Sequence, residues 1–276
     1  MRVSDKLLKS VAFVSRDEEN FDYRGSAFVV SVPFDEKSAA LHLVTAKHVA
    51  LALRNGEAAL VMNAKDGKPR WMKNGMTEWF YHPTDPSVDV AVMPMATPRV
   101  VDYDYQDIPV DLFVTPERLV KYNIGIGDET VNVGMFKPFL GATRFTPLVR
   151  TGTLAMMPDG RVPHPVYGSI EAYLVEGRSV GGQSGSPVFV RDTFFVRLQA
   201  PEGEPVQMSA LGGFHLLGLM HGHWKSPSDG TEATSNDSNM GISLVVPAQK
   251  ILEVLFSPEL TAEREKAFKR GFIPPC

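Results

Sequence analysis

Along most of the chain the apolar residues come in short β-branched or aromatic runs, each closed by Gly, Pro, Asp or Asn. That is the pattern of strands joined by turns rather than of helices. A first set of runs lies at Ser10–Ser15 (SVAFVS), Ser26–Val32 (SAFVVSV), Ala40–Thr45 (ALHLVT), Ala58–Asn63 and Val88–Met93. A second set lies at Thr130–Phe136, Leu148–Leu154, Ile170–Val175, Pro187–Val190, Leu216–Met220 and Gly241–Val246. Between them, Tyr103–Tyr122 reads as a linker in which TPERLVKY forms a helical turn, and a boundary falls near Thr115. Helical spacing becomes sustained only after Pro247, in AQKILEVLF, with the proline placed to open the first turn. The segment TAEREKAFKR is charged and helix-prone, and GFIPPC ends regular structure. Gln199–Gln207 and Lys225–Asn239 lack the apolar content to pack and read as surface loops. The expectation is an all-β molecule with one closing helix and no internal repeat.

Composition narrows the function classes. A chain of 276 residues with 43% hydrophobic content can bury one large core or two small ones. A formal net charge of -4 supplies no basic field to gather phosphates, so no nucleic acid is expected as a partner. The single cysteine, Cys276, excludes an intrachain disulfide and suits a reducing compartment. The apolar run Val11–Val14 is too short for a signal-peptide core, and no later stretch has the length of a membrane span. A cytoplasmic protein without membrane contact is the expectation.

Three segments carry candidate chemistry. LVTAKHVA presents His48 just after a strand, in a small-residue turn; a structural or merely exposed histidine fits the same pattern. VDVAVMPM sets Asp89 inside an apolar strand, where an ionised carboxylate needs donors or a cation unless it faces water; Asp85, in a Pro-flanked turn, is the weaker candidate. GRSVGGQSGSPVFV surrounds Ser184 with glycines before a strand that starts at Pro187. Such a turn can aim the amides of Gly182 and Ser184 at a developing oxyanion, although a plain Gly/Ser hairpin has the same composition. Taken together they supply a hydroxyl nucleophile, a base to take its proton and an acid to orient the base. Their order, His then Asp then Ser, is that of β-barrel proteases rather than of α/β-hydrolases or subtilisins.

With those residues in place the chain resembles the trypsin-like peptidase family, especially its disulfide-free bacterial branch with the HtrA-type proteases. GSAFVV from Gly25, LVTAKHV, VDVAVM, IGIGDETVNVGMF, GGQSGSPVF, LLGLMHGHW and NMGISLVVPAQKILEVL follow the family's order of segments. The resemblance implies two antiparallel six-stranded β-barrels and a C-terminal helix. Residues 1–115 would form the barrel with His48 and Asp89, residues 116–256 the barrel with Ser184 and the helix, and residues 257–276 a charged tail. It further implies a serine endopeptidase acting through an acyl-enzyme on Ser184, with Gly182 and Ser184 amides as oxyanion hole, on protein or peptide substrates and without a cofactor or metal. Gln183 and Ser186 depart from the family pattern, so activation by N-terminal trimming onto an acidic residue is not expected.

For the substrate pocket, the resemblance points to Arg178, with His221 and His223 on the lining strand, a set that suits an acidic side chain before the cut. His215, His221 and His223 also raise a zinc site, but pocket-lining histidines without metal account for the spacing, since Asp229 and Glu232 lie in a loop without fixed geometry. The glycines of IGIGD read as a hairpin turn, not a phosphate cradle. Two other readings stay open: a catalytically idle or partner-activated barrel pair that binds peptides, and an esterase with the same three residues.

Overall fold

The computed structural model describes residues 3–16, 22–36, 38–53, 59–73, 78–95, 102–141, 143–164, 166–177, 182–198, 206–225 and 239–270. Arg178 and Cys276 lie outside them, as does most of the Lys225–Asn239 loop.

A short helix α1 (Asp5–Lys9), capped by Ser4, leads into β1 (Val11–Ser15), β2 (Tyr23–Asp35) and β3 (Ser38–Thr45). Helix α2 (Lys47–Ala52) follows, then β4 (Ala59–Asn63), β5 (Pro69–Lys73), β6 (Phe80–Tyr81), β7 (Ala91–Pro94) and β8 (Ile108–Pro109). These strands make one eight-stranded sheet in the order β5-β4-β1-β2-β3-β7-β6, with β8 paired to β2. Of the two closed barrels expected, closure is not shown for this half: β5 and β6 stand at opposite ends of the sheet, and no ladder joins them among the described residues.

After a 3-10 turn (Val110–Leu112) and α3 (Pro116–Lys121), the second half does close. It comprises β9 (Glu129–Gly134), β10 (Leu148–Met156), β11 (Arg161–His164), β12 (Gly168–Glu171), β13 (Tyr173–Glu176), β14 (Pro187–Leu198), β15 (Val206–Lys225) and β16 (Asn239–Pro247). Six of them form a barrel in the order β10-β13-β16-β15-β14-β9, while β11 and β12 pair as a separate hairpin. Of the segment 199–207, read from sequence as a loop, residues 199–205 lie outside the described residues, and Val206 and Gln207 belong to β15, paired with Leu198 and Arg197.

Helix α4 (Ala248–Leu255) opens after Pro247 as the sequence predicts and buries Ala248, Ile251, Val254 and Leu255. Helix α5 (Pro258–Lys269), capped by Ser257, follows at once and docks through the buried Leu260 and Arg264. Among the described residues the largest apolar cluster runs through both halves, beside two smaller ones in the second half. Phe13, Phe28, Leu43 and Met93 from the first sheet share it with Val131, Met135, Phe189, Leu219 and Ile251 from the second half. Burial of this continuous surface is the main force holding the two halves together. Among the described residues no helix is long and apolar enough to cross a membrane.

Candidate active site

His48 sits in the first turn of α2, which begins directly after β3 because Thr45 and Ala46 are still extended and buried. Asp89 lies in the stretch just before β7, flanked by the buried Val88 and Val90. Strands β3 and β7 pair through Thr45 and Ala91, and this register sets the two side chains side by side. The His48 backbone N–H donates to Asp89 Oδ1 at 2.9 Å, and His48 Nδ1 lies 2.8 Å from Asp89 Oδ2. Asp89 is 1% exposed whereas the His48 side chain is 40% exposed, so the acid is buried and the imidazole's other edge faces the cleft.

Ser184 comes from the other half. Its turn is clamped onto β2: the Ser26 N–H donates to Ser184 O at 2.9 Å, and Ser26 Oγ donates to Gly182 O at 2.9 Å while accepting the Met135 N–H at 2.9 Å. Thr45 Oγ1 holds Ser26 O at 2.7 Å, one residue from the His48 helix. Gly182 and Gly185 have φ of +97° and +82°, and a Cβ on Gly185 would lie 2.2 Å from Ser26 O, so only glycine fits there. Ser184 Oγ donates to His221 O at 3.2 Å, and among the described residues it makes no hydrogen bond to His48.

The remaining predicted residues fare differently. Arg178 lies outside the described residues. His221 turns its ring to the acid: its Nδ1 lies 2.5 Å from Asp89 Oδ2, the same oxygen that His48 Nδ1 meets, and the two rings are in edge contact at 5.6 Å. His223 is half-buried on β15. His215 pairs with Asp192 at 3.1 Å and packs against Tyr122, so it shares no site with His221. Among the described residues His48, Asp89 and His221 are the group whose ligating atoms converge, within 4.8 Å of one another. Their 2.8 and 2.5 Å separations are those of hydrogen bonds. Two ligands around a zinc ion at about 2.0–2.2 Å would stand more than about 3 Å apart.

Two features escaped the sequence reading. Ser26 and Gly25 lie in GSAFVV, whose apolar alternation explains a strand but not its role as a clamp. His164 ends β11, where Pro163 and Pro165 hide the strand signal; its Nε2 lies 2.9 Å from His221 Nε2. Arg161 on the same strand donates to Asp85 Oδ2 at 3.1 Å and to Ser87 Oγ at 2.5 Å, tying the hairpin to the segment that carries Asp89.

Electrostatics follow the contacts. Burial alone would raise the Asp89 carboxyl, but hydrogen bonds from His221 and His48 and their nearby charge hold it well below the usual carboxylate range. Burial, with the neighbouring His221, lowers His164, so it is neutral at pH 7. Burial also raises Tyr167, whose ring stacks on His164 at 5.1 Å. The arrangement thus offers a fixed anion, an imidazole with an exposed edge and a hydroxyl on a constrained turn.

The mostly β architecture, with a closed six-stranded barrel and a C-terminal helix, is that of the trypsin-like serine peptidase fold. The comparisons agree: the structure is similar to that of Deg5, with TM-score 0.50, 16% identity, and coverage of 90% of this chain and 88% of that one. It is likewise similar to the structure of HBP, with TM-score 0.51, 10% identity, and coverage of 94% and 96%. At these identities the likeness is one of fold. No family model matches the chain, and no curated protein matches it in sequence.

Proposed function

We propose that the chain is a serine endopeptidase in which Ser184 is the nucleophile, His48 the general base and Asp89 the residue that orients the base. The observation that carries this reading is the double contact of His48 with Asp89, through its backbone N–H and through Nδ1. A proton on Nδ1 directed at Asp89 leaves the lone pair of Nε2 for the serine hydroxyl. Ser184 Oγ attacks the peptide carbonyl as its proton passes to His48 Nε2, and the same proton then goes to the leaving amine. Water hydrolyses the resulting acyl-enzyme by the same route in reverse. The amides of Gly182 and Ser184 would hold the oxyanion, a contribution worth about 3–4 kcal/mol in such sites.

The preference proposed for the residue before the cut is an acidic one. Beside the Ser184 turn the barrel holds a cavity of about 20 Å³ lined by Thr130, Asn132, Arg150, Ser243 and Met220. Met220 bonds to Gly185 and Ser186 through its backbone. Asn132 is 7% exposed, and neither its amide atoms nor Arg150 Nε have a hydrogen-bond partner among the described residues. Unpartnered buried donors beside a cation favour an anionic group at the mouth of this cavity, which itself has room for about one water molecule. Digestion of an unfolded protein substrate, lost in Ser184→Ala, tests the activity; a peptide library with no enrichment of Asp or Glu before the cut would overturn the preference.

One contact favours a second reading. With Ser184 Oγ on the His221 carbonyl, a catalytically idle or partner-activated peptide-binding protein accounts for the resting arrangement. In that case digestion would be absent, or would appear only once a partner turned the hydroxyl.

A further inference from the structure

We propose that His221 is a positioning residue for His48, with its tautomer set by His164, so that Asp89 is held by two imidazoles rather than one. His221 lies on β15 and His164 at the end of β11, both in the second half, while Asp89 and His48 belong to the first. The contacts fix every proton in the chain. His164 Nδ1 faces the backbone N–H groups of Val166 and Tyr167 at 3.2 and 3.3 Å, so it is an acceptor and the proton of the neutral ring sits on Nε2. That Nε2–H points at His221 Nε2, 2.9 Å away, which must then be unprotonated. His221 carries its proton on Nδ1 and donates it to Asp89 Oδ2. His48 Nδ1 donates to the same oxygen.

The titratable groups that surround the His221 ring are Asp89 and His48 from the first half and His164 and Tyr167 from the second. His221 is 8% exposed, and its backbone carbonyl is also the acceptor for Ser184 Oγ. One residue thus touches both the acid and the nucleophile. This third donor on Asp89, beside the backbone N–H and Nδ1 of His48, fixes the carboxylate plane and neutralises part of its charge. Without it the whole of the carboxylate's charge falls on the His48 side. Without the donor from His164, His221 can move its proton to Nε2, which would turn a lone pair toward the carboxylate.

The test has two arms, of which only the kinetic one rests on the serine-nucleophile reading. In the first, nitrogen-15 NMR of the histidine-labelled full chain near pH 8 should show His164 protonated on Nε2 and His221 on Nδ1; a His221 proton on Nε2 would overturn the proposal. In the second, fluorophosphonate labelling of Ser184 is followed against pH. His221→Leu should move the acid limb up by about one pH unit, and His221→Asn, which keeps a donor near the Nδ1 position, should leave it within about 0.3. His164→Leu should shift the limb in the same direction, and His164→Gln should restore it. An unmoved limb in a labelled His221→Leu protein contradicts the proposal. If the wild type takes no label, the peptidase reading fails and the tautomers alone decide this one.

Discussion

At the residue scale, most of the account turns on Asp89. Replacing it with Asn keeps the shape but presents a donor where two imidazoles donate, so labelling at Ser184 should fall about 10³–10⁴-fold while the fold persists. Because the folded carboxyl lies below its unfolded value, its contribution to stability is complete above about pH 4 and is lost as pH falls further. His42 acts in the same direction over another range. Burial, with the nearby Arg264, lowers it to about 3, so it is neutral in the fold and charges only on unfolding. Stability should therefore decline as pH falls from about 6.5 toward 3, by at most about 1.4 kcal/mol per unit. Urea titrations of wild type and His42→Phe across that range should differ in slope; parallel curves would refute the assignment. His48, Asp89 and Ser184 were singled out as candidates in the sequence because each stands in a short segment with a strand beside it. His164 was not, since only folding brings 164 next to 221.

At the element scale, the strands of the barrel were readable from alternation, whereas β5, β6 and β8 were not. Pro69–Lys73 and Ile108–Pro109 carry prolines or charges and are strands only because a neighbour offers an edge to pair with. The nucleophile turn depends on β2 in a way that alternation does not reveal. A Cβ on Gly25 would lie 2.8 Å from both Ser184 O and Val49 Cγ2, and the backbone oxygen cannot move without moving the turn. Gly25→Ala should therefore slow labelling about tenfold or more at a stability cost of about 1–3 kcal/mol, measured by labelling rate and chemical denaturation on the same sample. Helix α5 presents the parallel case for stability. Arg264 Nη1 donates to Leu255 O, Nη2 donates to Thr261 Oγ1 at 3.0 Å, and the guanidinium approaches His42. Arg264→Ala leaves those acceptors buried and should cost about 2–3 kcal/mol in urea denaturation.

At the scale of the whole molecule, the cleft is an interface that the two halves build together. Ser26 from the first half, itself held by Thr45, clamps the Ser184 turn, and His221 and Arg161 from the second hold the Asp89 segment. Helix α4 adds a further bridge, since Glu253 meets His82 at 2.6 Å and Lys250 reaches Glu171 at 3.3 Å. With the largest apolar cluster passing between the halves, thermal unfolding should appear as a single transition, coincident by tryptophan fluorescence and far-UV circular dichroism. Two separated transitions would show that the halves are independent. This reciprocal bracing could not be read from sequence. Local patterns give strands, but which edge a strand finds is a long-range choice.

The central claim is that Ser184, His48 and Asp89 form a working hydrolase site. The most direct measurement is reaction of the purified protein with a fluorophosphonate probe, followed by mass mapping of the adduct. The account predicts one adduct, on Ser184, abolished in Ser184→Ala and in His48→Ala. A folded wild-type protein that takes no label on Ser184, or labels equally without His48, would contradict it.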